Sequence, residues 1–175
     1  MLPESLVAAR KLLEEITPLQ TDCGLVCGGA CCQTHPGEET GMLLFPGEAE
    51  MYRGEEGFTL VDSPHGTILV CEGRCSRANR PLACRMFPLV MLLRPDGVKI
   101  ATDAAAQSVC PLARQGKSAL SQDFVAAVRQ AANLLAQDDQ QAAHLRRLTD
   151  MQDELKALRA QYRVFSNEMN QACFR

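Results

Sequence analysis

The amino-acid sequence predicts an α+β fold that is mainly α, with a small irregular cysteine-rich core, short β-hairpins and a C-terminal helical hairpin. Three observations predict it. Eight of the nine cysteines fall between Cys23 and Cys110, two pairs of short β-type runs lie among them, and the composition after about Lys117 becomes typical of helices. Residues 1–117 are therefore expected to form a metal-binding domain with an N-terminal helix, and residues 118–175 a helical extension packed on it.

The first predicted element is an amphipathic helix over residues 3–16. Its apolar positions repeat at the spacing of one helical face: Leu6, Ala9, Leu13 and Ile16. Pro18 disfavours continuation of this helix. The stretch 21–40 is rich in glycine and cysteine and has no steady period, so we expect a metal-binding loop there. A short helix is expected over residues 46–53.

Two β-hairpins are predicted in the middle of the chain. The runs 58–62 and 66–70 are separated by three residues, and the runs 89–93 and 98–102 flank an Arg-Pro-Asp-Gly sequence. A Pro-Asp-Gly turn between apolar runs is a hairpin signal with a physical basis, because proline and glycine adopt the required backbone angles readily. The cysteines would then lie at strand ends and in loops.

Two long helices are predicted at the C-terminus, over about 118–136 and 140–165, with Ser118 or Ser121 as the N-cap of the first. The second carries a stripe of apolar residues at alternating steps of three and four: Leu145, Leu148, Met151, Leu155, Leu158, Tyr162 and Phe165. This stripe fits two arrangements. One is an antiparallel hairpin packed on the domain itself, and the other is a coiled-coil or dimer surface that binds a protein partner.

The charge and hydropathy of the chain disfavour two classes of partner. The net charge is -3, and the pI is about 5.6, whereas nucleic acids and anionic membranes attract clustered Lys and Arg. No run approaches the roughly 20 apolar residues of a membrane span, and the N-terminal residues lack the apolar region of a signal peptide. We therefore expect a soluble, cytoplasmic protein that binds neither nucleic acid nor membrane.

The density of cysteines is the strongest functional signal. In an exported protein it would indicate disulfides, but in a reducing cytosol it indicates metal binding or catalysis. The odd total of nine and the lack of an export signal favour metal over disulfides and over purely structural thiols.

The first cluster has the spacing CxxxCxxxCC and comprises Cys23, Cys27, Cys31 and Cys32. Residues four apart share a face of a helical turn, and a loop of the same spacing can wrap a metal. Neighbouring side chains tend to diverge, so the adjacent pair at 31 and 32 is difficult to place on one metal. That pair indicates a polynuclear cluster or two neighbouring metals.

The second cluster comprises Cys71, Cys75, Cys84 and Cys110. Together the clusters supply eight thiols, enough for two four-coordinate sites. Zinc and iron–sulfur clusters both accept four thiolates. Ligand type and count therefore leave open the identity of the metal, and whether the thiols form one site or two.

Four arginines lie close to the second cluster in sequence: Arg74, Arg77, Arg80 and Arg85. Their guanidinium groups would offset the negative charge of four thiolates and lower the thiol pKa values. The alternative is that most of them are solvated surface residues.

Three further residues have the right chemistry for a ligand but a weaker context. His35 and His65 could each replace one cysteine, although histidines in loops beside Pro or Gly are usually surface residues. Cys173 is expected to be a thiol in the tail of the last helix, near a frayed terminus.

The segment Asn79-Arg80-Pro81-Leu82-Ala83-Cys84-Arg85-Met86-Phe87-Pro88 resembles the YkgJ-type cysteine-cluster family. Cys75, the double cysteine at 31 and 32, and Cys110 followed by proline extend the resemblance over about residues 20–113. The family is described as a putative zinc- or iron-chelating domain with a CxxCxxCC element. This chain departs from it in two places, because each interval of its first cluster is one residue longer and the interval 75–84 is one residue shorter.

The resemblance implies an alternative function as well. The family includes relatives of flagellin lysine methylases, which are thought to use an iron–sulfur centre, so an iron–sulfur enzyme that modifies a protein side chain is an alternative. No methyl-donor motif of the GxGxxG type follows a strand here, and no residue is assigned a catalytic role. A further alternative is a zinc-stabilised interaction module. The hypothesis we favour is a metal-binding protein with a role in sensing, metal handling or partner binding. An iron–sulfur cluster such as [4Fe–4S] is preferred to zinc.

Overall fold

A computed structural model describes residues 1–33, 41–73 and 75–173 of the chain, and side chains through residue 162. In these ranges the α-helices are α1 (Glu4–Leu12), α2 (Gly24–Cys27), α3 (Leu82–Met86), α4 (Pro111–Gln115), α5 (Gln122–Leu135) and α6 (Asp139–Cys173). The strands are β1 (Met42–Leu43), β2 (Phe58–Ser63), β3 (Gly66–Cys71), β4 (Leu89–Arg94) and β5 (Gly97–Thr102).

The strands form two small antiparallel sheets, of order β1-β3-β2 and β4-β5. Both predicted hairpins are confirmed, with Ser63 opposite Gly66 at the first turn and Arg94 opposite Gly97 at the second. Strand β1 was not predicted from the sequence because two residues are too few to show an alternating pattern.

The predicted long helices are present with shifted boundaries. Helix α1 is shorter than expected, α5 begins one residue after its N-cap Ser121, and α6 extends to Cys173. The expected helix near residue 46 is a short 3-10 turn at Glu48–Met51. The sequence did not predict α3 and α4, which have five residues each and are too short for a helical period to appear.

One main hydrophobic core joins the N-terminal, central and C-terminal parts of the chain. Large, fully buried side chains come from α1 and its C-cap, α3, β4, α5 and α6: Leu6, Leu13, Leu82, Leu89, Met91, Phe124, Leu135 and Leu145. A second, smaller core beneath the three-stranded sheet contains Leu44, Tyr52 and Leu69. Helix α3, which carries Cys84, therefore has a side chain in the main core and lies in sequence between the two sheets.

The two C-terminal helices are held chiefly by the rest of the fold. Helix α5 packs mainly on α1 and α6 mainly on β4, because the apolar faces of α1 and the β4-β5 hairpin need covering. Polar contacts fix α6 as well: the Leu93 N–H donates to Thr149 Oγ1 at 2.9 Å, and both terminal nitrogens of Arg94 donate to the Asp153 carboxylate at 2.6 Å.

The apolar stripe of α6 changes its surroundings along the helix. Leu145 is fully buried, and Leu155 is half-buried. Leu158 and Tyr162 are 61% and 72% exposed. Phe165 lies beyond the side chains that the structure describes. The first half of the stripe is therefore core, as one of the two predicted arrangements requires, and the exposed part leaves the question of a partner open.

The predicted fold class is confirmed, with about 49% helix and 17% strand. Within the described ranges, no helix combines the length and the apolar character needed to cross a bilayer.

Candidate metal centre

The cysteines of the two sequence clusters line two neighbouring cavities. The cavity that we call the Cys71 cavity is lined by Cys31, Cys32, Cys71, Cys75 and Cys84. The one that we call the Cys23 cavity is lined by Cys23, Cys27, Cys31 and Cys110. All eight predicted ligands therefore lie at these cavities, and Cys31 lies at both.

The first cluster reaches the cavities through a reversal of the chain. Cys23 is the N-cap of the short helix α2, and Cys27 is its last residue. Gly28 and Gly29 then adopt φ values of 64° and 72°, which side-chain-bearing residues rarely adopt. The 3-10 turn Ala30–Cys32 follows. These two glycines redirect the backbone, so that Cys31 returns to the Cys23 cavity and also lines the Cys71 cavity together with Cys32.

The second cluster comes from four different elements. Cys71 is the last residue of β3, Cys84 lies inside α3, and Cys110 is the N-cap of α4. The Cys110 N–H donates to the carbonyl oxygen of Ala106 at 2.7 Å, which fixes this cysteine relative to the preceding 3-10 turn. Cys75 lies in the segment that leads from β3 to α3. The positions of these thiols thus depend on the packing of β3, α3 and α4.

A buried carboxylate positions the start of α3. Glu48 forms an ion pair with Arg10, and both side chains are buried. Its oxygens accept hydrogen bonds from the Leu82 N–H at 2.7 Å and the Phe45 N–H at 3.3 Å. Since Leu82 is the first residue of α3, Glu48 satisfies one of the backbone donors that a helix N-terminus leaves unpaired. It thereby fixes the helix that carries Cys84.

Two of the four arginines brace the backbone instead of the thiols. Arg77 donates to the carbonyl oxygens of Leu13, Glu14 and Ile16 after α1. Arg85 donates to the carbonyl oxygens of Arg10, Arg77, Ala78 and Arg80. The hydrogen bonds described for these two arginines therefore go to the backbone and not to the thiols. Burial lowers the pKa of Arg77, although the charge of Cys23 partly offsets that lowering. A guanidinium offers five donors in a fixed planar arrangement and can satisfy several carbonyl oxygens of an irregular segment.

Arg80 lies beside the thiols, because it forms part of the wall of the Cys71 cavity. Although burial opposes it, a hydrogen bond with Cys75 and the charges of Cys32 and Cys84 raise the pKa of Arg80. Its Nε is buried and has no hydrogen-bond partner within the described residues. Arg74 falls outside the residues that the structure describes.

The thiols themselves resist ionisation. Burial raises the pKa of Cys23, Cys71 and Cys84, and nearby cysteines raise it further. A hydrogen bond with Cys32, followed by burial, raises the pKa of Cys31. At Cys23 and Cys84, Arg80 has the expected lowering effect, but burial outweighs this effect and the pKa of each thiol is raised overall.

The cysteines line common cavities, but their side chains are not arranged as a complete set of metal ligands. Within residues 1–33, 41–73 and 75–173, no three His, Cys, Asp or Glu side chains are grouped as a metal site. No disulfide joins the cysteines of the described part either. The Sγ atoms of Cys31 and Cys32 are 3.9 Å apart, about twice the length of a disulfide bond. The donor chemistry fits a thiophilic metal, since the cavities offer sulfur and no described histidine.

The weaker ligand candidates lie elsewhere. His65 is exposed in the β2-β3 turn and lines neither cavity. His35 and the side chain of Cys173 lie outside what the structure describes.

A buried histidine was not anticipated from the sequence. His144 of α6 is 1% exposed and packs on Phe45 with ring centroids 4.8 Å apart. Burial lowers its pKa to about 4, and its Nε2 has no hydrogen-bond partner among the described residues. Its position directly before Leu145, at the start of the apolar stripe, was the signal that could have revealed it. This histidine lies in the core and is not one of the residues that line the thiol cavities.

Comparisons with known proteins give no relative. No family model matches the chain, and no match was found to a curated protein or to a solved structure. The resemblance to the YkgJ-type family remains a prediction that rests on the motif at 79–88 and the cysteine spacing.

Proposed function

We propose that the protein binds metal through two adjacent four-thiolate centres. One centre takes Cys23, Cys27, Cys31 and Cys110 as ligands. The other takes Cys32, Cys71, Cys75 and Cys84. The protein then serves in sensing, metal handling or partner binding, and an iron–sulfur cluster is the preferred occupant.

The distribution of the thiols supports this proposal most directly. Sulfurs from segments some 40 to 80 residues apart line the same two cavities. Part of the electrostatic coupling agrees with this division: besides burial, Cys75, Cys32 and Cys71 raise the pKa of Cys84, whereas Cys27 and Cys110 raise that of Cys23. Cys31 interacts with Cys32 across the division as well as with Cys23 and Cys27. Two groups of four match the coordination number of structural zinc and the ligand count of a [4Fe–4S] cluster.

The adjacent pair Cys31 and Cys32 supports two centres over one. Cys31 lines both cavities, whereas Cys32 lines the Cys71 cavity and not the Cys23 cavity. The pair can therefore supply one ligand to each of two neighbouring metals. This pair is also why iron–sulfur is preferred to zinc, since two clusters joined by adjacent ligands would lie within range for electron exchange.

A role in partner binding has its own support. Leu158 and Tyr162 continue the apolar stripe of α6 into solvent, and exposed apolar side chains at this spacing are typical of helix-mediated contacts. In this second candidate function the metal stabilises the domain and α6 contacts a protein partner.

Anaerobic purification tests the proposal directly. We expect visible absorption typical of iron–sulfur clusters, and iron and acid-labile sulfide in equal amounts. A colourless protein with two zinc ions per chain would support the two proposed centres but would exclude iron–sulfur clusters as their occupants. A folded chain that binds neither metal in stoichiometric amount would refute the proposal.

Cys84→Ser is the informative variant, with Cys173→Ser as a matched control outside both sequence clusters. We expect Cys84→Ser to lower metal content and solubility together, because ligation and folding are coupled in a structural site. Full metal content and an unchanged melting profile in Cys84→Ser would remove this residue from the ligand set.

A further inference from the structure

A third cavity lies between α6, the β4 strand, α3 and β1. Its volume is about 210 Å³. Its wall is mostly apolar and includes three methionines and two phenylalanines: Met42, Phe45, Met86, Phe87 and Met151. Methionine side chains are flexible and polarisable, so they adapt to ligands of different shape and make favourable contacts with aromatic rings.

Part of the cavity wall is polar, because Asp103 and Gln152 belong to it. Gln152 donates from Nε2 to Asp103 Oδ1 at 2.8 Å and accepts from the Ala104 N–H at 2.9 Å. The Ala105 N–H donates to the same oxygen of Asp103 at 2.8 Å. The structure describes no hydrogen bond to the other carboxylate oxygen, Oδ2. The cavity wall thus includes a carboxylate that is held in place through one oxygen, while the other oxygen retains acceptor capacity for a ligand.

The cavity shares walls with the two thiol cavities. Met42 lines both this cavity and the Cys71 cavity, and Phe87 lines both this cavity and the Cys23 cavity. Ala83, the neighbour of Cys84 in α3, belongs to the wall as well. A molecule in the apolar chamber would therefore lie one side chain away from the candidate metal ligands.

We propose that this cavity binds a small arylalkyl amine or alcohol, with its ring among the methionines and its polar group at Asp103. An apolar cavity of about 150 Å³ already accommodates benzene, so the present volume admits a ring with a short side chain. Ligand sites typically combine such an apolar wall with a few fixed polar groups. The carboxylate favours a cationic or donor group and disfavours an acid of the same size.

Titration calorimetry with three probes of similar size tests the chemistry: 2-phenylethylamine, 2-phenylethanol and phenylacetate. On the full chain we expect the amine to bind most tightly and phenylacetate at least tenfold more weakly. Absence of binding by all three probes, or tightest binding by phenylacetate, would overturn the proposal.

Two variants of α6 locate the site. Leu155 lines the cavity and Leu158, one turn further on, does not. Leu155→Trp fills the chamber and should abolish binding, whereas Leu158→Trp, at a 61% exposed position, should retain it. Unchanged binding by Leu155→Trp would place the probe elsewhere and refute the site.

Asp103→Asn provides an independent check, since the amide keeps the acceptor that Gln152 and Ala105 use. We expect the preference for amine over alcohol to disappear in this variant, and a retained preference would contradict the proposed role of Asp103. This inference does not depend on metal binding. Metal content is measured on the same samples and should be unchanged in Leu155→Trp. This measurement separates a failure of the ligand proposal from a failure of the metal proposal.

Discussion

The Arg85 guanidinium donates a hydrogen bond of 2.9 Å to the carbonyl oxygen of Arg10. This bond joins the C-terminal half of α1 to the segment between Cys75 and Cys84, whose own carbonyl oxygens also accept from Arg85. Irregular backbone near a buried site has unpaired carbonyl oxygens that cost free energy unless they find donors. One side chain therefore provides the donors that let this cysteine-bearing segment keep a fixed shape.

Replacement of Arg85 by lysine should destabilise the fold markedly. Arg85 is 5% exposed, and an ammonium cannot reproduce the planar donor geometry. We expect the free energy of unfolding to fall by about 2–4 kcal/mol, measured by urea denaturation. Arg53→Lys, the same change in an exposed ion pair, should cost less than about 0.5 kcal/mol. Equal effects of the two changes would show that the carbonyl contacts of Arg85 contribute little.

The buried ion pair between Arg10 and Glu48 gives a second prediction. Glu48→Gln leaves the Arg10 guanidinium buried without its counter-charge and weakens the acceptor for the Leu82 N–H. We expect a loss of about 3 kcal/mol in the free energy of unfolding. Glu50→Gln, which removes the same charge from an exposed pair with Arg53, is the matched control and should be nearly neutral. A small effect of Glu48→Gln would mean that the cost of desolvating the two charges cancels the free energy gained from the ion pair.

The proposed division of the thiols predicts different outcomes for neighbouring cysteines. Cys32→Ser should eliminate the centre that contains Cys84 and leave the other, so that metal per chain falls by about half. Cys110→Ser should eliminate the opposite centre and lower metal per chain to the same extent. Elemental analysis of both variants and of the double variant checks this. If either single variant lost all its metal while its far-UV circular dichroism stayed that of the folded protein, the eight thiols would form one centre.

His144 predicts a pH dependence of stability. Its pKa is about 4 in the folded protein against 6.5 ordinarily, so between these values the unfolded chain binds a proton that the folded chain does not. The contribution of His144 to the free energy of unfolding is therefore fully present above about pH 6.5, and it is lost progressively as the pH drops towards 4. The shift corresponds to about 3 kcal/mol.

Urea denaturation at pH 7.5, 5.5 and 4.5 measures this dependence in the wild type and in His144→Gln. We expect the variant to lose less stability than the wild type on acidification. His65→Gln, which alters an exposed histidine, should follow the wild-type curve. A variant curve parallel to that of the wild type would assign the acid sensitivity to other groups.

Local patterns in the sequence determined much of the fold. The Pro-Asp-Gly turn at 95–97 and the apolar runs on either side gave the β4-β5 hairpin, and the period of α5 gave its buried face. These features depend on backbone preferences and on burial periodicity over a few residues. The same reasoning marked the eight cysteines as one functional group, since their density needed no knowledge of the fold.

Only the tertiary structure decided how those cysteines are divided between two cavities. It also assigned Arg77 and Arg85 to backbone carbonyl oxygens, buried His144 against Phe45, and created the apolar cavity beside α3. Each of these depends on side chains that are distant in sequence and meet through packing of α1, α3, β4 and α6. Residue type and spacing describe what a segment can do by itself, whereas the neighbours that complete a site are set by the burial of the whole chain.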